Sequence, residues 1–249
     1  MTFLERKVKL ANEATGKLHL NDGYYCTECN NKGFVFGLRG DEMISYTCKC
    51  KKIRKSLRII KESGLADVIE KRTFDNFKTE EEWQESIKAK CLRFLNQSYN
   101  RTFFIGGQCG CGKTHLCTAM CGYYIGIGKE TRYLVWPKEI KTLKSLLNER
   151  EYDTYISSFI DAQVLYIDDF LKQRQGTAPS CADMNIAFEI LNARLHSPDK
   201  ITIISSELTF DKLLSYDEGA ISRIAEMTGE FMLNIRSDSS KNYRLKSIW

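Results

Sequence analysis

The stretch that decides the fold is Gly107-Gln108-Cys109-Gly110-Cys111-Gly112-Lys113-Thr114, which fits the phosphate-loop pattern G-x-x-x-x-G-K-[ST] at every fixed position. The apolar run 102–105 before it predicts a strand, and residues 116–124 after it predict a helix. Glycines let successive backbone N–H groups point at one phosphate chain, and the helix N-terminus adds its positive end. This context argues against the alternative interpretation, a glycine-rich turn with a stray lysine.

The loop predicts an ATP site with Mg²⁺. We expect residues 107–114, with His115 beside them, to contact the phosphates. Lys113 would reach the β- and γ-phosphates, and Thr114 would hold the metal ion.

A second segment, Val164-Leu165-Tyr166-Ile167-Asp168-Asp169-Phe170, is an apolar strand that ends in two acids, as in a Walker B motif. Asp168 would hold Mg²⁺ through water, and Asp169 would orient the attacking water as a general base. Asp is one methylene shorter than the Glu found here in many ATPases, so we expect slow hydrolysis without a partner. The alternative is a purely structural strand capped by acids.

Two further segments supply candidate contacts to the γ-phosphate. The apolar run 201–204 is followed by Ser205 and Ser206, either of which would reach the phosphate or the attacking water. The alternative for each serine is a hydroxyl that caps the strand or the next turn. Arg223 lies in a predicted late helix, where it is either a surface arginine or a group that reaches a neighbouring subunit's phosphate.

Strands and helices alternate from about residue 100 onward. The helical spacing is clearest over residues 183–195. This alternation predicts a parallel sheet with helices on both faces, and ligands then bind at the carboxyl ends of the strands. The predicted strands are 102–105, 132–135, 164–167, 201–204 and 231–235.

Four cysteines stand in two close pairs, Cys26 with Cys29 and Cys48 with Cys50. Four thiolates in two pairs suit a tetrahedral Zn²⁺ without an open position, which is a structural site. Residues 33–36 between the pairs are expected to form a small hairpin, as in zinc ribbons. Free thiols or a redox pair are the alternatives.

Composition places limits on the class of protein. The ten cysteines occur without a secretion signal, since charges run through the N-terminus, so a reducing cytoplasm is expected. No apolar run is long enough to span a bilayer. Residues 1–75 hold 15 Lys and Arg against 10 Asp and Glu, whereas the rest of the chain holds 22 of each. The excess predicts either a surface that tracks nucleic-acid phosphates or a solvated helix face.

Taken together, the sequence predicts an α/β chain: a phosphate-loop ATPase core with a five-stranded parallel sheet, preceded by a small zinc-binding domain. The predicted organisation is a helix and zinc module over residues 1–52, a helical linker over 53–72 and the ATPase domain over 73–249.

The chain resembles the DnaC/DnaI-type helicase loaders of bacteria and their phages, a group of AAA+ ATPases. A four-cysteine module, a charged linker, Thr73-Phe74-Asp75-Asn76-Phe77 and the ATPase motifs follow in the family's order over most of the chain. The cysteine module is most similar to the DnaI branch. The chain departs from the pattern at Glu207, where many relatives have Asn.

The resemblance implies roles and partners. Arg223 matches the arginine finger, and Arg244 matches an arginine that senses nucleotide in its own subunit. The implied partners are the hexameric DnaB-type replicative helicase, gripped by the N-terminal domain, single-stranded DNA, and further copies of the ATPase domain. No membrane is implied.

Two other functions compete with the loader. An IstB-type transposition helper has nearly the same core, but helpers of that kind typically lack the zinc module, so the four cysteines favour the loader. In a non-hydrolysing adaptor, ATP would only order the fold. The finger at Arg223 argues against an adaptor, because a pure binder needs none.

Overall fold

The computed structural model describes residues 1–62, 69, 71–97, 101–174, 177–195, 197 and 199–245. Part of the predicted 53–72 linker therefore lies outside the described residues.

The N-terminal module consists of short elements around the four cysteines. Helix α1 begins at a capping box, in which Thr2 and Glu5 exchange side-chain and backbone hydrogen bonds. Lys32 holds the other end of α1, because its Nζ donates to the carbonyls of Ala11, Asn12 and Ala14. The predicted hairpin is present as an antiparallel pair. The elements are α1 (Phe3–Glu13), α2 (His19–Asp22), β1 (Phe34–Arg39), β2 (Glu42–Thr47) and α3 (Cys50–Glu62).

The ATPase core contains five parallel strands in the order β4-β5-β6-β3-β7. Three of them, β3, β5 and β6, are buried along their whole length, which explains their unbroken apolar runs. The predicted five-stranded parallel sheet is thus confirmed. The strands are β3 (Thr102–Gly107), β4 (Thr131–Val135), β5 (Val164–Asp168), β6 (Ile201–Ser206) and β7 (Met232–Ile235).

Helices cover both faces of this sheet. One face packs against α4 and α5, and the other packs against α6, α7, α8 and α10. The helices are α4 (Glu82–Asn96), α5 (Lys113–Gly126), α6 (Trp136–Leu146), α7 (Glu151–Ile160), α8 (Cys181–Leu195), α9 (Phe210–Leu214) and α10 (Glu218–Thr228). Because β5, β6 and β3 are parallel neighbours, their carboxyl ends share one edge of the sheet. The predicted site residues follow the strands at this edge.

Helix α3 joins the cysteine module to the ATPase core. It begins at Cys50, so the predicted boundary between residues 52 and 53 falls inside a continuous helix. Ile53 packs against Ile125 of α5. Ser56 Oγ accepts a hydrogen bond from the backbone N–H of Thr131 on β4, at 2.9 Å. The first half of the predicted linker thus lies against the core.

Among the helices that the structure describes, none is long and apolar enough to cross a membrane.

Candidate functional site

The phosphate loop connects β3 to α5 in the order that the sequence predicts. Gly107 has φ +104°, and a Cβ there would lie 2.0 Å from the carbonyl oxygen of Ile235. Gly110 has φ +72°, and a Cβ there would lie 1.9 Å from Asn242 Oδ1. Both positions therefore require glycine for backbone conformation and for space. Ile235 of β7 and Asn242, in the segment after β7, pack against the outside of the loop.

Lys113 is buried at the first position of α5. Its Nζ donates to the carbonyl oxygens of Gly107, at 2.7 Å, and Gln108, at 2.6 Å. The ammonium is thus held over the loop, where nucleotide phosphates would compete with these carbonyls for it. The contact with the β- and γ-phosphates that the sequence predicts for Lys113 stays a prediction.

Asp168 meets Thr114 at the carboxyl end of β5. Thr114 Oγ1 donates to Asp168 Oδ1 at 3.2 Å, although the two residues are 54 positions apart. A hydroxyl and a carboxylate beside a phosphate loop are the hard oxygen ligands that Mg²⁺ prefers. The donor set therefore fits the predicted metal ion.

Two tyrosines and a serine surround Asp168, and sequence analysis did not identify the tyrosines. Tyr133 donates to Asp168 Oδ2, while Tyr166, at 2.8 Å, and Ser205 donate to Oδ1. Burial and the nearby carboxylate raise the pKa of both tyrosines, so their hydroxyls stay protonated as donors. A signal existed for Tyr166: it lies two residues before Asp168, on the same face of the strand.

Asp169 shares a lysine with Glu207. Lys172 Nζ lies 3.0 Å from Asp169 Oδ2 and 2.9 Å from Glu207 Oε1. Burial raises the pKa of Asp169, and Lys172 opposes that effect. Burial also acts to raise the pKa of Glu207, but the ion pair with Lys172 outweighs it, and the pKa is lowered. Sequence analysis did not identify Lys172.

These side chains surround one cavity of about 450 Å³. It opens where the phosphate loop, β5 and β6 meet, and it combines cations with carboxylates, as a Mg²⁺–triphosphate site requires. Its lining residues are Arg72, Gly110, Gly112, Lys113, Thr114, His115, Tyr133, Asp168, Asp169, Lys172, Glu207 and Arg244.

The structure turns Ser206 away from this cavity. Its Oγ donates to the carbonyl of Phe170 at 2.9 Å and accepts from the N–H of Leu208 at 3.1 Å. Of the two candidate serines, Ser205 is therefore the one whose hydroxyl reaches the cluster around Asp168. Ser206 instead serves the alternative role of capping the strand end.

His115 lines the cavity but is engaged elsewhere. Its Nε2 lies 2.8 Å from the carbonyl oxygen of Thr73, and its ring stands edge-on to Phe77 at 5.2 Å between centroids. It therefore anchors the segment that precedes α4 on the phosphate loop. The predicted phosphate contact from His115 would have to come from its backbone.

The two cysteines of the loop differ in exposure. Cys111 is buried and its Sγ donates to the carbonyl of Gln108 at 2.9 Å, whereas Cys109 is partly exposed. Burial raises the pKa of both thiols, so both are neutral near pH 7. Their backbone N–H groups, rather than their sulfurs, are the atoms suited to phosphate.

Arg223 lies outside the cavity of its own chain. Its Nε donates to Asn192 Oδ1 at 3.1 Å, and its guanidinium lies 4.5 Å from the centroid of the Phe188 ring. Arg244, by contrast, lines the cavity. The roles expected for them, Arg223 at a neighbouring subunit's nucleotide and Arg244 at the chain's own nucleotide, stay predictions.

The four cysteines of the N-terminal module form a second candidate site. Their Sγ atoms all lie within 4.8 Å of one another and all four residues are buried. Cys26 and Cys48 have an S–S distance of 3.8 Å, and Cys29 and Cys50 have one of 3.5 Å. Zn–S bonds of about 2.3 Å in a tetrahedron require S–S distances of about 3.8 Å.

Backbone N–H groups support this cluster. Gly33 N–H donates to Cys29 Sγ at 3.2 Å, and Cys26 N–H donates to Asn31 Oδ1 at 2.8 Å. The Gly33 N–H orients the Cys29 sulfur and favours its charged form, while Asn31 holds the backbone of Cys26. The cluster is therefore compatible with the predicted zinc module.

Comparison with known proteins places this chain in a family. Residues 41–219 match the family model described as IstB-like ATP binding protein. YqaM of Bacillus subtilis strain 168 is 29% identical over 215 residues, which cover 81% of this chain and 67% of YqaM. The phage-like element PBSX protein XkdC of the same strain is 26% identical over 241 residues, which cover 90% of this chain and 88% of XkdC.

Solved structures agree on the fold. The crystal structure of the DnaC helicase loader matches with a TM-score of 0.57 and 20% identity, and the match covers 68% of this chain and 97% of that one. The predicted AAA+ fold is thus confirmed, and the predicted resemblance to DnaC/DnaI-type proteins is confirmed at the level of the IstB/DnaC-type ATPase family. Because the family model matches most of the sequence, this chain belongs to the IstB-like ATP-binding proteins.

Proposed function

We propose that the chain is an ATP-dependent helicase loader, which binds a hexameric DnaB-type replicative helicase and delivers it to single-stranded DNA in the cytoplasm. The observation that carries the proposal is the four-cysteine module docked through α3 on an ATPase core. A metal-stabilised module that precedes the ATPase domain suits the role of binding the helicase.

The surface of this module supports a protein partner. Phe3, Leu10, Tyr25 and Tyr46 are all more than half exposed, and each belongs to the N-terminal 50 residues. Apolar side chains exposed on one small module suit contact with another protein. We propose that this surface contacts the helicase and that Zn²⁺ on the four cysteines keeps it folded.

The ATPase core supports self-association and DNA contact. The position of Arg223 outside its own cavity suits a finger that acts on the neighbouring subunit, so that hydrolysis requires assembly. Helix α3 carries basic side chains that suit the phosphates of single-stranded DNA.

The decisive experiment is co-elution with a hexameric replicative helicase on a sizing column, with and without ATP. We expect a stable complex with the intact chain and none with Cys26→Ser/Cys29→Ser. Cys181→Ser is the matched control, since Cys181 is exposed and outside the cluster. The loader proposal fails if no plausible helicase co-elutes.

A transposition helper is the second candidate, because the matching family model carries the IstB name. ATP-dependent assembly on duplex DNA, without any helicase complex, would favour it. A non-hydrolysing adaptor is the third candidate, and an ATP turnover assay in the presence of partner and DNA separates it from the other two.

A further inference from the structure

The edge of the ATP cavity formed by β5 and β6 carries three carboxylates and one ammonium. Asp168, Asp169 and Glu207 all line the cavity, and Lys172 lines it with them. Lys172 Nζ bridges Asp169 and Glu207 at 3.0 and 2.9 Å. A triphosphate that enters this cavity meets more negative charge here than at any other of its described walls.

We infer that Lys172 contacts the γ-phosphate from this edge of the cavity and that Glu207 holds Lys172 in place for the contact. Glu207 directly follows β6, beside the strands that end in the phosphate loop and in Asp168. Thr114 and Asp168, the expected Mg²⁺ ligands, line the same cavity, and Mg²⁺ bridges the β- and γ-phosphates, so the γ-phosphate is expected at this edge. A carboxylate only accepts hydrogen bonds and repels phosphate, so Glu207 cannot make the contact itself.

Lysine has the donor that this contact requires. An ammonium carries three N–H donors, and the two carboxylates engage two of them. Among the residues that the structure describes, no further partner engages the third donor, which is available for a phosphate oxygen. Lys113 lines the same cavity, and its ammonium is bound to the carbonyls of the phosphate loop.

The backbone turn that carries Lys172 supports a ligand role. Asp169 and Leu171 both have φ +54°, which is uncommon for residues other than glycine. The Lys172 N–H closes the turn onto the carbonyl of Asp169 at 3.0 Å. Such conformations persist where the surroundings determine them, and they cluster at ligand clamps. Here the turn brings the lysine back into the cavity.

The inference rests on ATP binding, which the family establishes, and not on the helicase partner. A failed helicase assay therefore leaves it intact. ADP lacks the γ-phosphate, so the inference requires an effect on ATP that ADP does not share.

The test measures the affinities of Lys172→Met for a non-hydrolysable ATP analogue and for ADP, both with Mg²⁺. The analogue should bind about 10- to 100-fold more weakly than to the unchanged protein, while ADP affinity changes by less than about twofold. Lys172→Arg should keep most of the affinity for the analogue. Lys200→Met is the matched control, because Lys200 pairs with Asp161 at 3.1 Å outside the cavity. An equal loss for both nucleotides, or no loss, overturns the inference.

Two double variants distinguish a hydrogen bond from Lys172 to the γ-phosphate from simple neutralisation of Glu207 by Lys172. Lys172→Met/Glu207→Asn places an amide donor at the strand end, and it should regain preference for the ATP analogue. Lys172→Met/Glu207→Leu removes both charges without supplying a donor, and it should remain impaired. Equal recovery of both would show that Lys172 only neutralises Glu207, and the inference would be lost. The leucine variant leaves no unpaired acid at position 207. It can therefore be used to test the inference if Lys172→Met alone does not fold.

Discussion

Tyr133 and Asp168 lie on neighbouring strands, and the tyrosine hydroxyl donates to the carboxylate oxygen Oδ2. The Tyr133 ring stands edge-on to Tyr166, which donates to Oδ1, with 4.9 Å between the ring centroids. The carboxylate expected at the metal ion is therefore oriented from both of its oxygens.

Replacement of Tyr133 by Phe should weaken Mg²⁺ binding. The ring packing survives, but Oδ2 loses its donor, and outer hydrogen bonds of this kind are worth about 10- to 100-fold in metal affinity. The measurement is the Mg²⁺ concentration that half-saturates ATP hydrolysis. Tyr152→Phe is the control, since Tyr152 also donates to a carboxylate, Glu189 at 2.7 Å, and neither residue lines the cavity. Equal Mg²⁺ dependence in the two variants would contradict the expectation.

Arg223→Ala should abolish hydrolysis and leave ATP binding intact. An arginine finger contributes about 10³-fold or more to turnover, while Arg223 makes no contact with its own cavity. Arg93→Ala, which removes an exposed arginine of α4, should behave like the unchanged protein. Unchanged turnover of Arg223→Ala would refute the assignment.

A mixing experiment shows whether the finger acts between subunits. Arg223→Ala retains a complete phosphate loop, and Lys113→Ala retains the finger. Neither variant should hydrolyse ATP alone, but an equal mixture should regain part of the activity. A mixture as inactive as its components would count against action between subunits.

Removal of zinc should unfold the module around Cys26, Cys29, Cys48 and Cys50 and abolish partner binding, with ATP binding nearly unchanged. Ile53 and Ser56 anchor α3 on the core independently of the metal, so the ATPase domain should survive. Limited proteolysis and bound-metal analysis of Cys26→Ser/Cys29→Ser check this. Partner binding that persists in this variant would show that the cysteine module is not the partner-binding site.

Arg194→Met should destabilise the core by about 3 kcal/mol or more. The Arg194 guanidinium is almost fully buried and forms five hydrogen bonds that tie the end of α7 to β6. Its acceptors are Thr202 Oγ1 and the carbonyls of Phe159, Ile160, Ala162 and Ile201. Methionine fills part of the space but leaves the acceptors unpaired. Denaturant unfolding, with exposed Arg174→Met as control, measures the loss, and a difference below about 1 kcal/mol would contradict it.

The strands were predictable because β3, β5 and β6 are buried on both faces, which forces continuous apolar runs. The phosphate loop and the cysteine pairs were predictable because each function depends on local spacing. The role of Lys172 was not predictable, because Asp169 and Glu207, the two carboxylates that it bridges, become neighbours only through the order of the strands. The choice between Ser205 and Ser206 depends on which face of β6 turns inward at its last residues, and a fully buried strand has no alternation to show it.

Cys50 is both the last residue of the cysteine cluster and the first residue of α3, which lies on α5, the helix that begins with Lys113. A force applied at the cysteine cluster would therefore pass along helix α3 to α5, the helix that begins at the phosphate loop. A load on the cysteine module, such as the proposed helicase partner would apply, would thus be transmitted through the packing of Ile53 on Ile125 to the helix that follows the phosphate loop.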